Sequence, residues 1–212
     1  MDDAKKWYFE KLAERTVEAL KNNGINAYYV ETGAEARELV TDLVEKNATI
    51  GHGGSLTLKE IELLEAFKNE NYRLEYIADD LPADIKTEKR REIMTADYYF
   101  TGTNALTVDG KLVNIDATGN RVASMIFGPG HVIVFAGINK IHRSLEEALN
   151  YAQNEAAVIN AKRLKRNTPC TMTGKCEDCN ADDRICNVTT IIDKKPTKTE
   201  MTVVIIGEQL GY

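Results

Sequence analysis

Apolar residues along this chain alternate between two patterns, a helical period near 3.6 residues and short unbroken runs that suit buried strands. Trp7, Leu12, Thr16 and Leu20 mark a first helix, which Asn23-Gly24 stops. INAYYV (25–30) reads as a strand and AEARELVTDLVEK (34–46) as a helix after the turn at Gly33. ATIGHG is a short strand that runs into a glycine loop. LTLKEIELLEAF (56–67) has helical spacing, with Ser55 placed to cap it. RLEYIA (73–78) predicts a strand, EKRREIMTA (88–96) a helix and YYFTG (98–102) another strand. Strands alternating with helices of this length predict βαβ units, hence an α/β fold around a mainly parallel sheet.

The pattern then changes. ALTV, Asp109-Gly110 and KLVNID predict a hairpin, and Asp-Gly suits a type I′ turn. HVIVFAG (131–137) reads as a buried strand, and SLEEALNYAQNEAAVINAKRLKR (144–166) as a long helix capped by Ser144. A cysteine-rich loop (168–186) and strands near VTTII (188–192) and MTVVIIG (201–207) close the chain. With no repeat, low-complexity tract or dividing linker, residues 1–212 are expected to form a single α/β domain.

Composition narrows the function. A chain of 212 residues can bury a substantial core without disulfides. The net charge of −6 argues against nucleic acid or an acidic membrane as partner, since both require a basic patch. MDDAKKWYFEKLAERTVEAL carries charges throughout and has no apolar core of the kind a secretory signal needs. No run approaches the roughly 18 apolar residues of a membrane span. The expected location is the cytoplasm.

Candidate chemistry concentrates between Gly102 and Lys140, where small and polar residues sit at the ends of apolar runs. Thr103, Asn104, Asp116, Asn120, Arg121, Asn139 and Lys140 are the prominent ones. In an open α/β sheet, ligands bind beyond the carboxyl ends of the strands. Arg121 and Lys140 supply the positive charge that a carboxylate or phosphate needs. An earlier loop, Gly51-His52-Gly53-Gly54-Ser55, lets backbone approach a ligand, and Ser55 adds a hydroxyl. It matches neither G-x-x-x-x-G-K-[ST] nor G-x-G-x-x-G, so no nucleotide motif is present. Each residue also has a plainer role: Asp109-Gly110 as a turn, Asp116 or Thr118 as a helix cap, Asn104 as a turn former, Arg121 as a surface ion pair and Lys140 as a solvated charge.

Taken together, GHGGSLTLKEIELL, TGTNALTVDGKLVNIDATGNRVASMIFGPGHVIVFAGINKI and VVIIGEQLGY resemble the LUD-domain family, which includes the lactate utilization protein C type. The resemblance implies a Rossmann-like α/β fold similar to the ribose-phosphate isomerase and CoA transferase superfamily. It also implies a strand-end pocket for a small anionic ligand, formed by Gly53, Gly54, Ser55, Thr103, Asn104, Asp116, Asn120, Arg121, Asn139 and Lys140. The implied role lies in or beside the oxidation of lactate or a similar organic acid, as one component of an oxidoreductase system. Two alternatives stay open: a stand-alone sugar-phosphate isomerase or CoA-transferase-like enzyme, with Asp116 as the base, and a non-catalytic electron-relay or assembly subunit. A nucleophilic glutamate, which CoA transferases need, is not assignable; Glu208 lies in a late loop.

Cys170, Cys176, Cys179 and Cys186 form a separate constellation, C-x5-C-x2-C-x6-C, within one short segment. In a chain without a secretory signal, such clustering points to metal binding ahead of disulfides. Four thiolates suit an iron–sulfur cluster or a closed zinc site, although zinc knuckles usually come as paired C-x2-C units and only one occurs here. Metal-free thiols or disulfides are the remaining reading. Lys162, Arg163, Lys165, Arg166, Lys175 and Arg184 flank the segment and would offset thiolate charge. A cluster would fit the lactate-utilization setting, in which the family acts alongside iron–sulfur oxidoreductase partners. The lactate utilization protein C type does not require this four-cysteine insert.

Overall fold

The computed structural model describes residues 2–69, 71–78 and 80–212. Its strands, in chain order, are β1 (Asn26–Val30), β2 (Thr49–His52), β3 (Arg73–Leu74), β4 (Tyr98–Gly102), β5 (Ala105–Thr107), β6 (Leu112–Asp116), β7 (His131–Gly137), β8 (Ile141–His142), β9 (Val188–Ile192) and β10 (Glu200–Ile206). The main sheet runs β1-β10-β7-β4-β2-β3, with every neighbouring pair parallel. The second sheet, β8-β5-β6-β9, is mixed. The architecture is α/β and Rossmann-like, a mostly parallel sheet with flanking helices.

A parallel sheet covered on both faces needs strands that are apolar at every position. HVIVFAG meets that need. Val132, Val134 and Ala136 point into one core cluster while Ile133 and Phe135 point into the other. The second cluster is closed by helices α2 (Gly33–Leu43), α3 (Leu56–Glu60) and α4 (Leu63–Ala66), through Ala36, Val40, Leu58 and Leu63. The first is closed by α1 (Asp3–Asn22) and by Leu106, Leu112, Ile141 and Ile192 of the second sheet, so the two sheets share a core. The opposite face of the second sheet, at Ala105 and Val113, packs on Ala148 and Ala152. Those residues belong to a long helical stretch, α7 (Leu145–Tyr151), a π-helical turn (Ala152–Ala156) and α8 (Ala157–Arg163). Ser144 caps it as expected, its hydroxyl accepting the Glu147 N–H at 3.1 Å. The remaining helices are α5 (Ala83–Ile93), α6 (Asn120–Phe127) and α9 (Cys170–Thr173).

Several expected elements change. The helix predicted over 56–67 breaks at Glu62, which adopts a left-handed φ of 50°. On a straight helix Ile61 and Leu63 would lie roughly 200° apart; the break lets both be buried with Leu58 and Phe67. Of RLEYIA only Arg73–Leu74 is strand, because its partner β2 is short and Tyr76 turns out to solvent. α2 ends at Leu43, where Val44 becomes extended, and α5 begins at Ala83, behind Pro82. Trp7 lies on the exposed side of α1, whose buried face is Leu12, Ala13, Thr16 and Leu20.

The hairpin forms, but its turn is not type I′. Only Gly110 has positive φ (82°), whereas type I′ requires it at both central residues. Gly110 N–H donates to Thr107 O at 2.8 Å and Thr107 N–H to Lys111 O at 3.0 Å, a type I turn closed by a glycine bulge. Asp109 stays at negative φ and engages the Thr107 hydroxyl and the Lys111 ammonium.

The turn seats on the end of α1, where Asn23 Nδ2 donates to the carbonyls of Asp109 and Gly110 at 2.9 and 3.2 Å. A Cβ on Gly110 would lie 2.8 Å from Leu20 N and 2.9 Å from Ala19 C, backbone atoms that cannot give way. Gly119 also has positive φ (86°), but a Cβ there meets nothing within 4 Å. Gly119→Ala is therefore expected to cost about 1 kcal/mol of backbone strain. Gly110→Ala is expected to cost at least about 2 kcal/mol more, by strain and clash together. Urea denaturation of both variants compares them, and equal losses would show that the turn does not bear on α1.

Candidate ligand pocket and cysteine cleft

Because the main sheet is parallel, the loops after β2, β4, β7 and β10 emerge on one side. Gly53 and Ser55 follow β2. Gly53 N–H donates to Phe100 O at 2.9 Å, and a Cβ at this glycine would stand 3.0 Å from the Tyr99 hydroxyl and 3.3 Å from Thr101 Oγ1. Gly54 faces open space. Ser55 caps α3 through the Leu58 N–H at 3.4 Å, and its hydroxyl rests 2.8 Å from where a Cβ of Gly102 would be. The glycine loop is thus folded against the end of β4.

Arg121, on the first turn of α6, reaches back across that junction. Its Nη1 donates to Gly102 O at 3.1 Å and Asn114 Oδ1 at 2.6 Å. Its Nη2 donates to Asn104 Oδ1 at 3.0 Å and Ile115 O at 2.8 Å. Nε lies 3.5 Å from Asp116 Oδ2. Four guanidinium N–H groups therefore have acceptors inside the chain, and Nε is ion-paired with Asp116. Burial pulls the Arg121 pKa down from its ordinary value, and Asp116 opposes that shift. The other carboxylate oxygen of Asp116 accepts the N–H groups of Thr118 and Gly119 at 3.1 and 2.8 Å. Asn104 Oδ1 also accepts the Ile115 N–H at 2.9 Å. Asn120 opens α6, half-buried, its carbonyl accepting the Ser124 hydroxyl at 3.0 Å.

Asn139 and Lys140 follow β7 and meet the segment after β10. Asn139 accepts the Leu210 N–H at 3.0 Å and donates to Gly211 O at 3.3 Å. Gly137 makes room for this segment, since a Cβ there would lie 2.5 Å from Leu210 N. Glu208 accepts the Gly33 N–H at 3.1 Å, and Glu60 accepts the Gly211 N–H at 2.6 Å. Beneath Gly211 lies the Lys140 ammonium, 3% exposed, donating to Thr57 Oγ1 and Thr103 O at 3.0 Å each. Thr103 is fixed in turn by its hydroxyl, which donates to the carbonyls of Ala105 and Val113 at 3.1 Å. Burial, aided by the Arg121 charge, lowers the Lys140 pKa to about 8 against a smaller pull from Glu60.

All ten strand-end residues expected from the sequence therefore gather at one edge of the sheet, joined through Gly102 and Thr103. They divide into two groups, one around Arg121 and one around Lys140. With Arg121 committed internally, Lys140 is the cation that retains an unused donor. Thr57 and the Glu208–Gly211 backbone complete the second group and were not among the expected residues. Thr57 carries no signal beyond its place on an amphipathic helix, whereas the two glycines of IIGEQLGY do mark a close-packed segment.

The four cysteines are free thiols, each half-buried, and all line one cleft of about 20 Å³. Its apolar wall is Ala157, Val158, Ala161 and Ile185. Gln153, on the π-helical turn, donates to Cys176 Sγ at 3.7 Å, and the Thr168 hydroxyl lies 3.2 Å from Cys170 Sγ. Arg184 bonds the carbonyls of Cys179 and Cys186 and pairs with Asp178 at 3.0 Å, so one side chain ties the central C-x2-C unit to the last cysteine. Burial pushes the Cys186 thiol up, Arg184 pulls it down, and the charges of the other three cysteines raise it further. Among the described residues, no three His, Cys, Asp or Glu side chains stand close enough to share one metal ion. Beside the cleft, an open groove passes Ile159, Cys170, Met172 and Tyr212.

Comparison with known proteins fits this picture. The sequence profile of the LUD domain matches residues 13–206. The chain belongs to the LUD-domain family. A crystal structure of a DUF162 family protein from Deinococcus radiodurans, at 11% identity, superposes with a TM-score of 0.51 over 93% of this LUD-domain chain and 98% of its own. At that identity the likeness concerns the fold. No curated protein matches this chain in sequence. Among the described residues, no helix of this family member is long and apolar enough to cross a membrane.

Two substitutions test the electrostatics at the strand ends. Arg121→Lys keeps the charge but strands most of five buried acceptors, so it is expected to lose about 3 kcal/mol in urea denaturation. A loss below about 1 kcal/mol would show that the fork is dispensable. For Lys140 the folded pKa, about 8, lies below the ordinary 10.5, so the unfolded chain binds more protons between those values and stability rises with pH through that window. Lys140→Met is expected to erase that rise, removing up to about 3 kcal/mol of pH dependence between pH 8 and 10.5. Parallel stability curves for the two proteins would contradict the depressed pKa.

Proposed function

We propose that this LUD-domain protein is a redox-linked component of organic-acid utilization. Its cysteine cleft would hold an iron–sulfur cluster, and its strand-end pocket a small carboxylate on Lys140. The observation that carries this reading is the convergence of Cys170, Cys176, Cys179 and Cys186 on one cleft with an apolar wall. A single zinc ion draws its four thiolates to within roughly 4 Å of one another. Four cysteine thiolates are the usual ligand set of an iron–sulfur cluster, and the single C-x2-C unit lacks the paired knuckles of a structural zinc site. When bound, such a cluster supplies one-electron transfer, at a potential set by burial and by hydrogen bonds to its sulfurs. Gln153, through its bond to Cys176, and the Arg184 guanidinium, through its charge, are the side chains placed to tune it. Four free thiols accord with a reducing compartment, hence the cytoplasm.

The lactate setting follows from the family resemblance, and the partners it suggests are iron–sulfur oxidoreductase subunits. Asp116 enters this reading as the residue that orients Arg121 and, through it, Asn104. The stand-alone isomerase, with Asp116 as base, draws less support because both oxygens of that carboxylate are engaged.

Anaerobic purification with iron, sulfide and zinc analysis tests the proposal. Brown protein containing iron and acid-labile sulfide, both lost in the Cys176→Ala, Cys179→Ala double variant, is the expected result. Colourless protein with one zinc per chain, or no metal under reducing anaerobic conditions, would overturn it.

A further inference from the structure

Lys140 is a buried cation that electron transfer at the cysteine cleft does not use. Among the described residues no carboxylate lies within ion-pair distance of it, and its bonds go to two neutral acceptors, Thr57 Oγ1 and Thr103 O. An ammonium has three N–H groups, so one position on the nitrogen is left for a ligand. The atoms over it belong to Gly211. A Cβ at that residue would come within 2.7 Å of Thr57 Oγ1 and 3.4 Å of Lys140 Nζ, so only glycine fits over the amine, and a ligand reaches it by displacing this residue. A lysine that is desolvated and shares its surroundings with a second cation gives up its proton readily and becomes a nucleophile. Lys140 meets both conditions, with Arg121 as the second cation and a pKa lowered to about 8.

We propose that Lys140 is a nucleophilic amine that forms a covalent imine with the carbonyl of a small 2-keto acid at the strand ends. This rests on the reading of that pocket as a carboxylate site, and a 2-keto acid is what oxidation of a 2-hydroxy acid yields. The neutral amine attacks the carbonyl carbon, forming the C–N bond as the C=O π pair moves to oxygen. A proton passes from nitrogen to that oxygen. The C–O bond then breaks, the oxygen leaves as water after taking a second proton, and the nitrogen lone pair closes the C=N bond. One amine, one carbonyl and one proton become one protonated imine and one water, and nothing is oxidised or reduced. The Thr57 hydroxyl, 3.0 Å from Nζ, is placed to relay the proton.

Borohydride trapping tests this on the full chain. Protein incubated with pyruvate or glyoxylate and reduced with sodium borohydride is expected to gain the mass of the keto acid less one oxygen atom, with the adduct mapping to Lys140. The gain is expected to vanish in Lys140→Arg and to form at least about tenfold more slowly in Thr57→Val, which lacks the relay. If Lys140→Arg does not fold, the peptide map of the unaltered protein decides alone. No adduct, or an adduct spread over surface lysines, overturns the proposal. Calorimetric titration with lactate and pyruvate, without borohydride, separates the two levels. Binding without an adduct removes the imine and leaves the pocket, whereas neither binding nor adduct removes both.

Discussion

Arg121 commits four N–H groups inside the chain, to the carbonyls of Gly102 and Ile115 and the side chains of Asn104 and Asn114, and pairs its Nε with Asp116. Gly102 ends a strand of the main sheet, and residues 114–116 belong to the second. One buried guanidinium therefore sets the distance and angle between the two sheets at the edge where the ligand residues gather. A planar fork with five fixed donors can do this, and a flexible ammonium cannot. Burying the charge is tolerable because four donors are matched and Asp116 stands beside the fifth. The rest of the strand-end geometry, including the position of Thr103 over Lys140, follows from that clamp.

The cysteine cleft solves a different problem with the same economy of parts. A loop with four thiols has few apolar residues and cannot build a wall of its own. It folds back on α8, where Ala157, Val158 and Ala161 are small enough to let the loop approach. The π-helical turn just before α8 inserts one residue into the helix, a distortion often found at functional sites. It places Gln153 against Cys176. Arg166 and Asp183 pin the loop to the end of the helix, with Asp183 also accepting the Asn167 N–H. Lys162 holds Thr171 O at 3.1 Å. The cations that read as balancing thiolate charge thus also serve as fasteners for the loop.

What the sequence made legible was local. HVIVFAG could be nothing but a buried strand, because seven residues with no helical period fit no amphipathic helix. Ser55 and Ser144 declared their caps within three residues, and Asp109-Gly110 declared a hairpin, although the choice of turn depended on how Gly110 meets α1. The family resemblance then located the strand-end residues as a group. The break at Glu62 was hidden because it depends on Gly33, whose missing Cβ leaves room for Ile61. The commitment of Arg121 was hidden because its acceptors come from two strands and a loop. The covering segment was hidden most deeply, since Glu208 meets Gly33 and Gly211 meets Glu60, pairs far apart in the chain.

That segment also bears on how the two sites relate. Gly211 lies over the Lys140 ammonium, and the next residue, Tyr212, lines the groove that contains Cys170 and Met172. Two consecutive residues cannot move independently. A ligand that reaches Lys140 has to displace Gly211, and in doing so it shifts Tyr212 against the cysteine loop. The segment is held by one bond to Glu60, two with Asn139, the Ile138 N–H to Glu208 O, the Glu208 carboxylate on the Gly33 N–H, and a long contact of 3.5 Å from the Thr57 hydroxyl to Leu210 O. The covering segment of Lys140 and the groove beside the cysteine cleft are therefore neighbours joined by one peptide unit.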